Sequence, residues 1–409
     1  MSVSTPIRPS RLRGPLAFAP YRFLVAGTTI NSLGNSITPV ALAFGVLELG
    51  GTASELGLVV AAYALAEVVT LMFGGVLGDR LPRQVLMQGA AAGAAVTQAV
   101  IAAALIGGWA TVTLLGVIGL ANGCLSALSG PSSQAMTRQT VPVEHLSTAV
   151  ALRRLAQNTA GVIGFASAGV LVAVFGSGWA IAIDALTFAL AAGCFALIKV
   201  PAVVASGDRQ SLIGDLWAGA AEVFRHTWLW LLIGQALLYH LFYGGVQGVL
   251  GPIVVGDAYG TAAWGWALAL LMAGFMAGAL VCLRWKPRKG LAIGTVFLAL
   301  TACFPAAMAL TDALPLLLLG AFLHGFGLEI FSVNWDLSIQ TEIPEDKLAR
   351  VYAFDVVGSF VARPLGLVLV GPITALTGIG PWLVVVAVIM AGSSLLAAAV
   401  PSVRRLERQ

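Results

Sequence analysis

Residues 55–107 read ELGLVVAAYALAEVVTLMFGGVLGDRLPRQVLMQGAAAGAAVTQAVIAAALIG, two long apolar runs parted by the charged turn Asp79-Arg80-Leu81-Pro82-Arg83. Each run is long enough to cross a bilayer core, which takes roughly 20 apolar residues. Working outward, the same unit recurs along the chain. Stretches of this kind lie near 22–47, 55–78, 84–107, 110–134, 152–175, 178–200, 228–255, 262–283, 290–311, 314–340, 348–376 and 380–402. The composition agrees, with 59% hydrophobic and only 10% charged residues, against about 25% charged in soluble domains. An all-α membrane protein of twelve transmembrane helices follows.

The basic residues test that count independently. Alternating the spans from a cytoplasmic N-terminus puts seven segments inside, and these hold 21 of the 22 Lys and Arg. The remaining one, Arg363, falls within the eleventh span. The outer turns carry acids such as Glu48, Glu55, Asp257 and Asp312. This is the asymmetry the positive-inside rule describes, and it places both termini in the cytoplasm and the protein in an inner membrane. The basic balance therefore reflects topology, and no nucleic-acid partner is called for. Cys124, Cys194, Cys282 and Cys303 are widely spaced within spans, without metal-ligand or paired spacing. No metal, no cofactor and no cleaved leader is expected, and a monomer is.

The longest polar interval, about 200–227, separates six spans from six. It divides the chain into an N-terminal bundle (1–200), a linker (201–227) and a C-terminal bundle (228–409). Within the linker Leu212, Leu216, Ala220 and Phe224 share one stripe, with Asp215 and Glu222 elsewhere, as in an amphipathic helix lying on the inner surface. The halves resemble each other. Val141-Pro142-Val-Glu144-His-Leu146 precedes the fifth span and Ile343-Pro344-Glu-Asp346-Lys-Leu348 the eleventh, and the same offset aligns Gly164 with Gly366. That implies a duplicated six-helix unit in parallel orientation, with the substrate site between the halves near mid-membrane.

The turn after the second span, Gly75-Val-Leu77-Gly-Asp79-Arg80-Leu-Pro82-Arg83-Gln-Val-Leu86, resembles the signature loop of the major facilitator superfamily in position and spacing. It departs only at Pro82, where the family usually has Gly. The resemblance implies two six-helix bundles and gating by Gly75, Asp79, Arg80 and Arg83, an acid and two arginines able to latch the halves in one state and release them in another. Trp335-Asp336 through Gln340, Tyr352-Ala-Phe-Asp355 and Pro364-Leu-Gly366, together with Ile183-Asp184-Ala-Leu-Thr-Phe188, are similar to the drug-efflux branch that includes macrolide and siderophore exporters.

Ionisable residues inside a membrane mark functional sites by default. Glu67 and Glu329 are the deepest carboxylates and the candidate proton carriers, with structural hydrogen bonding as the alternative for each. The first span presents Thr28, Asn31, Asn35 and Thr38 on one polar stripe that cannot titrate. Asn31, Asn35 and Tyr63 are candidate cavity residues. So are His240, Tyr243 and Gln247 on the seventh span, a stripe that equally suits packing between the halves. Asp336, Asp355 and Arg363 are expected to form an ion pair near the inner gate, and Asp184 to anchor a helix end. No nucleotide loop is present, and no nucleophile–His–acid set points to an enzyme. The expected function is proton-coupled efflux of small hydrophobic or amphipathic compounds. Import of a metabolite, or a non-transporting membrane sensor, remains the alternative.

Overall fold

The computed structural model describes residues 14–78, 82–200 and 212–406, of which 71–78, 130, 131, 134, 135, 212–218, 346 and 349 are described in backbone alone. The chain there is helical, because lipid offers no partner to an exposed peptide group and a helix satisfies its own. The helices are α1 (Ala19–Glu48), α2 (Ala53–Gly78), α3 (Arg83–Ile106), α4 (Val112–Thr140), α5 (Leu146–Phe175) and α6 (Ser177–Ala196). The surface helix α7 (Leu212–Arg225) follows. Beyond it come α8 (Thr227–Tyr259), α9 (Thr261–Arg284), α10 (Gly290–Leu310) and α11 (Leu314–Glu342). The eleventh span is broken into α12 (Glu345–Phe360) and α13 (Arg363–Thr377), and α14 (Ile379–Ala399) completes the twelve spans.

Each of the twelve apolar stretches is thus a helix. Their outward faces suit lipid and not water: Leu376, Leu310 and Leu396 are 89%, 75% and 73% exposed. A water-soluble monomer rarely leaves such apolar patches open.

In the first half α1 packs on α5 and α6, α2 on α4, and α3 on α4 and α6. In the second half α8 packs on α13 and α14, α9 on α11, and α10 on α11 and α14. The duplication visible in the sequence recurs in these contacts. Gly164 of α5 lies against Leu33 and Ser36 of α1, while Gly366 of α13 lies against Leu241 of α8. Gly123 of α4 meets the Tyr63 carbonyl of α2, and Gly325 of α11 meets the Leu271 carbonyl of α9. Gly176 and Gly378, at φ 82° and 81°, turn α5 into α6 and α13 into α14 in a left-handed conformation that a side chain would strain. All three glycine pairs keep the offset that aligns the loops before the fifth and eleventh spans.

The halves meet through backbone-close contacts at the end of the bundle away from the chain termini. Gly169 of α5 lies 2.9 Å or more from Ala262 and Gly265 of α9, measured from the position a Cβ would take. Gly57 faces Leu367, and Gly371 faces Ser54, where α2 and α13 meet. Lipid supplies little hydrophobic drive between helices, so small residues and close approach take over. That end is closed.

At the opposite end α7 is fastened to α12. Lys347 Nζ lies 2.9 Å from Glu222 Oε2, and Arg225 and His226 approach the same carboxylate at 3.3 and 3.5 Å. Phe224 meets Phe354 edge-on at 6.2 Å. Along α7 the described side chains divide by face, with Ala220, Glu222 and Val223 buried against the protein and Phe224 exposed. The ion pair makes that burial tolerable.

The hydrogen bond from Lys347 and the surrounding cations hold the Glu222 carboxyl below its usual 4.5. Its contribution to stability is therefore full above that value and lost as pH falls through the lowered one. Glu222→Gln should lower thermal stability by a fraction of a kcal/mol to about 1 kcal/mol at about pH 6. The difference from the parent protein should shrink as pH drops below about 4. Equal melting curves for the two proteins at both pH values would contradict it.

Candidate functional site

The polar stripe of α1 needs an interior to face, and the structure supplies one. A cavity of about 640 Å³ lies between the halves and is lined by Thr28, Asn31, Asn35 and Thr38 of that stripe. Tyr63 and Glu67 of α2, Gln98 of α3, Ser126 of α4, and Arg153, Arg154 and Gln157 of α5 join them. From the second half come Gln247, Trp264, Leu268 and Arg363. Arg153, Arg154 and Phe195 carry the wall toward the terminal end of the bundle, whereas the far end is shut by the glycine contacts. Among the described residues the cavity is thus walled off at that far end.

The two polar residues from the second half are delivered by interruptions of their helices. Gln247 sits in a π-turn at Val246–Leu250 inside α8. Arg363 begins α13 just after the break in the eleventh span, ahead of Pro364. Wide turns and broken spans at membrane depth are characteristic of functional sites. Gly244 allows the Arg363 stem to pass close to α8.

Glu67 faces the cavity with one hydroxyl partner, Ser126 Oγ at 3.4 Å from Oε1. Arg363 lies within electrostatic reach of it from the other half. Glu329 stands elsewhere: its Cβ and Cγ pack on Gly278 of α9, and it is not part of the cavity wall. Arg154 of α5 is in charge reach of both Glu329 and Asp336 across the halves, and among the described residues no ion pair closes that gap.

The expected ion pair of Asp336, Asp355 and Arg363 does not form. Asp355 accepts instead from Trp335 Nε1 at 3.1 Å and from Ser359 at 3.2 Å. The break between α12 and α13 turns Arg363 to the cavity and away from Asp355.

Of His240, Tyr243 and Gln247, only Gln247 reaches the cavity. His240 holds the Ala236 carbonyl at 2.8 Å and lies against Phe360, ring centroids 4.2 Å apart. Tyr243 is buried and packs at 4.3 Å on His324. Gln247 stands in the wide turn, while His240 and Tyr243 stand on the regular helix before it. His324 is a satisfied core residue: Nδ1 donates to the Thr301 carbonyl at 2.8 Å and Nε2 accepts from Tyr239 at 2.8 Å.

Of the gating motif, Gly75 falls near the end of α2 and Arg83 opens α3 behind Pro82, the residue that caps it. Asp79 and Arg80 lie outside the described residues.

Asp184 is the residue whose setting the sequence misjudged. It anchors no helix end but is fully buried between α1, α3 and α6. Thr38 donates to Oδ2 at 2.6 Å and Gln98 Nε2 to the same oxygen at 2.9 Å. Gly34 leaves room for its other oxygen. The signal was available in the sequence, since an Asp in mid-span demands partners. Only the fold shows that Thr38 and Gln98 are those partners.

Residues 24–366 match the model of the Major Facilitator Superfamily. The chain belongs to that superfamily. It is a multi-pass membrane transporter. Over 97% of its length this major facilitator is 26% identical to the multidrug efflux pump Tap of Mycolicibacterium fortuitum, covering 98% of that protein. It is 25% identical to the uncharacterized MFS-type transporter YfiS of Bacillus subtilis over 84% of each chain. Its fold is similar to the crystal structure of the nucleoside transporter NupG, with a TM-score of 0.69 over 93% of this chain and 97% of that one, at 15% identity.

The Asp184 node makes a stability prediction. Asp184→Ala would take the carboxylate from the buried Gln98 and the half-buried Thr38 and should cost about 1–3 kcal/mol. Asp184→Asn, which keeps the shape and one acceptor, should cost less. Thermal unfolding of the purified variants measures both; an alanine variant as stable as the parent would refute the node.

Proposed function

We propose that this transporter exports small hydrophobic or amphipathic compounds across the inner membrane in exchange for protons. The two halves, 1–200 and 228–409, rock about the cavity, with 201–227 connecting them. The observation that carries the reading is one cavity between the halves, sealed at the far end, with a carboxylate on one wall and a guanidinium on the other. The charge map supports cytoplasmic termini, and with them a cavity wall that runs toward the side from which an exporter loads. The efflux relatives speak for the same direction.

Glu67 and Arg363 supply the coupling. While Glu67 is ionised, it attracts Arg363 and draws α2 toward α13. A proton on Glu67 cancels that attraction, frees Arg363 and loosens the hold of the cavity walls on the cargo. An outward-facing state that takes up a proton at Glu67 releases its cargo, returns inward, and there gives up the proton. Glu329 acts second, through Arg154: closing the cytoplasmic end would bring Arg154 of α5 onto Glu329 and Asp336 of α11. Gly75, Asp79, Arg80 and Arg83 latch the two halves together on that same side in one state and release them in another. Asn31, Asn35, Tyr63 and Gln247 face the cargo, while His240 and Tyr243 hold α8 in place behind it. The protein works as a monomer, since each chain encloses a complete cavity.

The test is efflux of the neutral dye N-phenyl-1-naphthylamine from preloaded, energised cells. Export should stop when a protonophore collapses the gradient. Glu67→Gln should cut the gradient-driven rate by about tenfold or more, a loss in the range of general acid–base groups. Glu67→Asp should recover part of it. Efflux indifferent to the protonophore overturns the coupling, and full activity of Glu67→Gln overturns the assignment of Glu67.

A further inference from the structure

Three arginines line the cavity, and they are not equivalent. Arg363 faces Glu67. Arg154 faces Glu329 and Asp336. Arg153 faces no acid among the described residues. Its charged neighbour is Arg154, a like charge on the same helix, and the nearby Tyr21 spends its hydroxyl on the Ala149 carbonyl at 2.7 Å.

Arg153 is also the deepest of the three, only 5% exposed. One terminal nitrogen, Nη1, donates to two neutral acceptors, Ser133 Oγ at 3.1 Å and Gln157 Oε1 at 3.3 Å. Its Nε is buried and has no partner. A guanidinium withdrawn from water and left without a counter-charge is costly, and an unmet donor adds to that cost. Placing an arginine there makes sense if an anion arrives. The planar fork of nitrogens suits a carboxylate, sulfonate or phosphate group, accepting at two points.

The same cavity offers apolar surface farther along its wall. Phe165, Phe188, Phe195 and Trp264 line the same cavity. Aromatic rings offer area to an apolar body, while Arg153 takes the charged end. We propose that Arg153 is the anion-binding pole of the transport cavity, and that the compounds carried are amphipathic molecules with an acidic group. This rests on the export reading above and narrows its cargo. Topology alone does not account for Arg153: a residue that only marks the inner side can keep its head in water, as the exposed Arg154 does.

The experiment uses two probes with one aryl skeleton: 8-anilinonaphthalene-1-sulfonate, an anion, and neutral N-phenyl-1-naphthylamine. Binding to the full chain in lipid nanodiscs is measured by equilibrium dialysis, with empty nanodiscs subtracted. The parent protein should bind the sulfonate about tenfold tighter than the amine, the scale of one charged hydrogen-bonded contact. Arg153→Gln should weaken sulfonate binding by about tenfold and change amine binding by less than about twofold, while Arg153→Lys keeps part of the preference. Retained amine binding reports that the variant is folded. No sulfonate preference in the parent protein overturns the proposal, and that arm needs no variant. A preference that survives Arg153→Gln also overturns it. Binding of the amine alone sinks this inference and leaves the export reading standing, whereas binding of neither probe sinks both.

Discussion

Water is missing from the hydrocarbon layer, and every feature of this transporter follows from that absence. Peptide groups there have to be satisfied within their own segment, so the chain crosses as helices. Because lipid is as apolar as leucine, those helices gain little by hiding side chains from it. They are held instead by close backbone approach at glycines such as Gly57, Gly169 and Gly371, where the halves meet. The closed end of the cavity is therefore built of contacts with almost no side chain in them. Such contacts can part without exposing buried polar groups.

The same constraint governs polar side chains. Inside the bundle each one needs a partner or a purpose. Asp184 has partners in Thr38 and Gln98, Asp355 in Trp335 and Ser359, and His324 in Tyr239 and Thr301. These groups are structural in the conformation described. Glu67 and Arg363 face one another across the cavity without an ion pair, and Arg153 retains a buried, unmet donor. These three charged groups stand in the cavity wall, where a proton, a cargo or a movement of the halves can complete their pairing.

Duplication set the frame, and divergence set the site. The glycine pairs Gly164 with Gly366 and Gly176 with Gly378 preserve equivalent packing and equivalent turns in the two halves. The cavity does not repeat in the same way. Its polar lining comes mostly from α1 to α5, while the second half contributes Gln247 and Arg363 beside apolar residues. Both of those come from irregular backbone, a π-turn and a helix break, which a repeating helix would not provide.

The twelve spans, the position of the linker helix, the parallel duplication and the superfamily motif were all legible in the sequence, since each depends on local periodicity, length or spacing. So was the polar stripe Thr28, Asn31, Asn35 and Thr38, because a regular helix carries such residues to one face. What tertiary structure decided was which intramembrane charge meets which. Sequence spacing paired Arg363 with Asp355 on one helix; the break between α12 and α13 sends Arg363 to Glu67 instead. Spacing put Gln247 on a stripe with His240 and Tyr243, but in the fold Gln247 lines the cavity while the other two pack on Phe360 and His324. It set Glu67 and Glu329 side by side as equals, and only packing on Gly278 shows that Glu329 stands off the wall. Local pattern follows from bonds along a helix, whereas charge partnership depends on where helices distant in sequence come together.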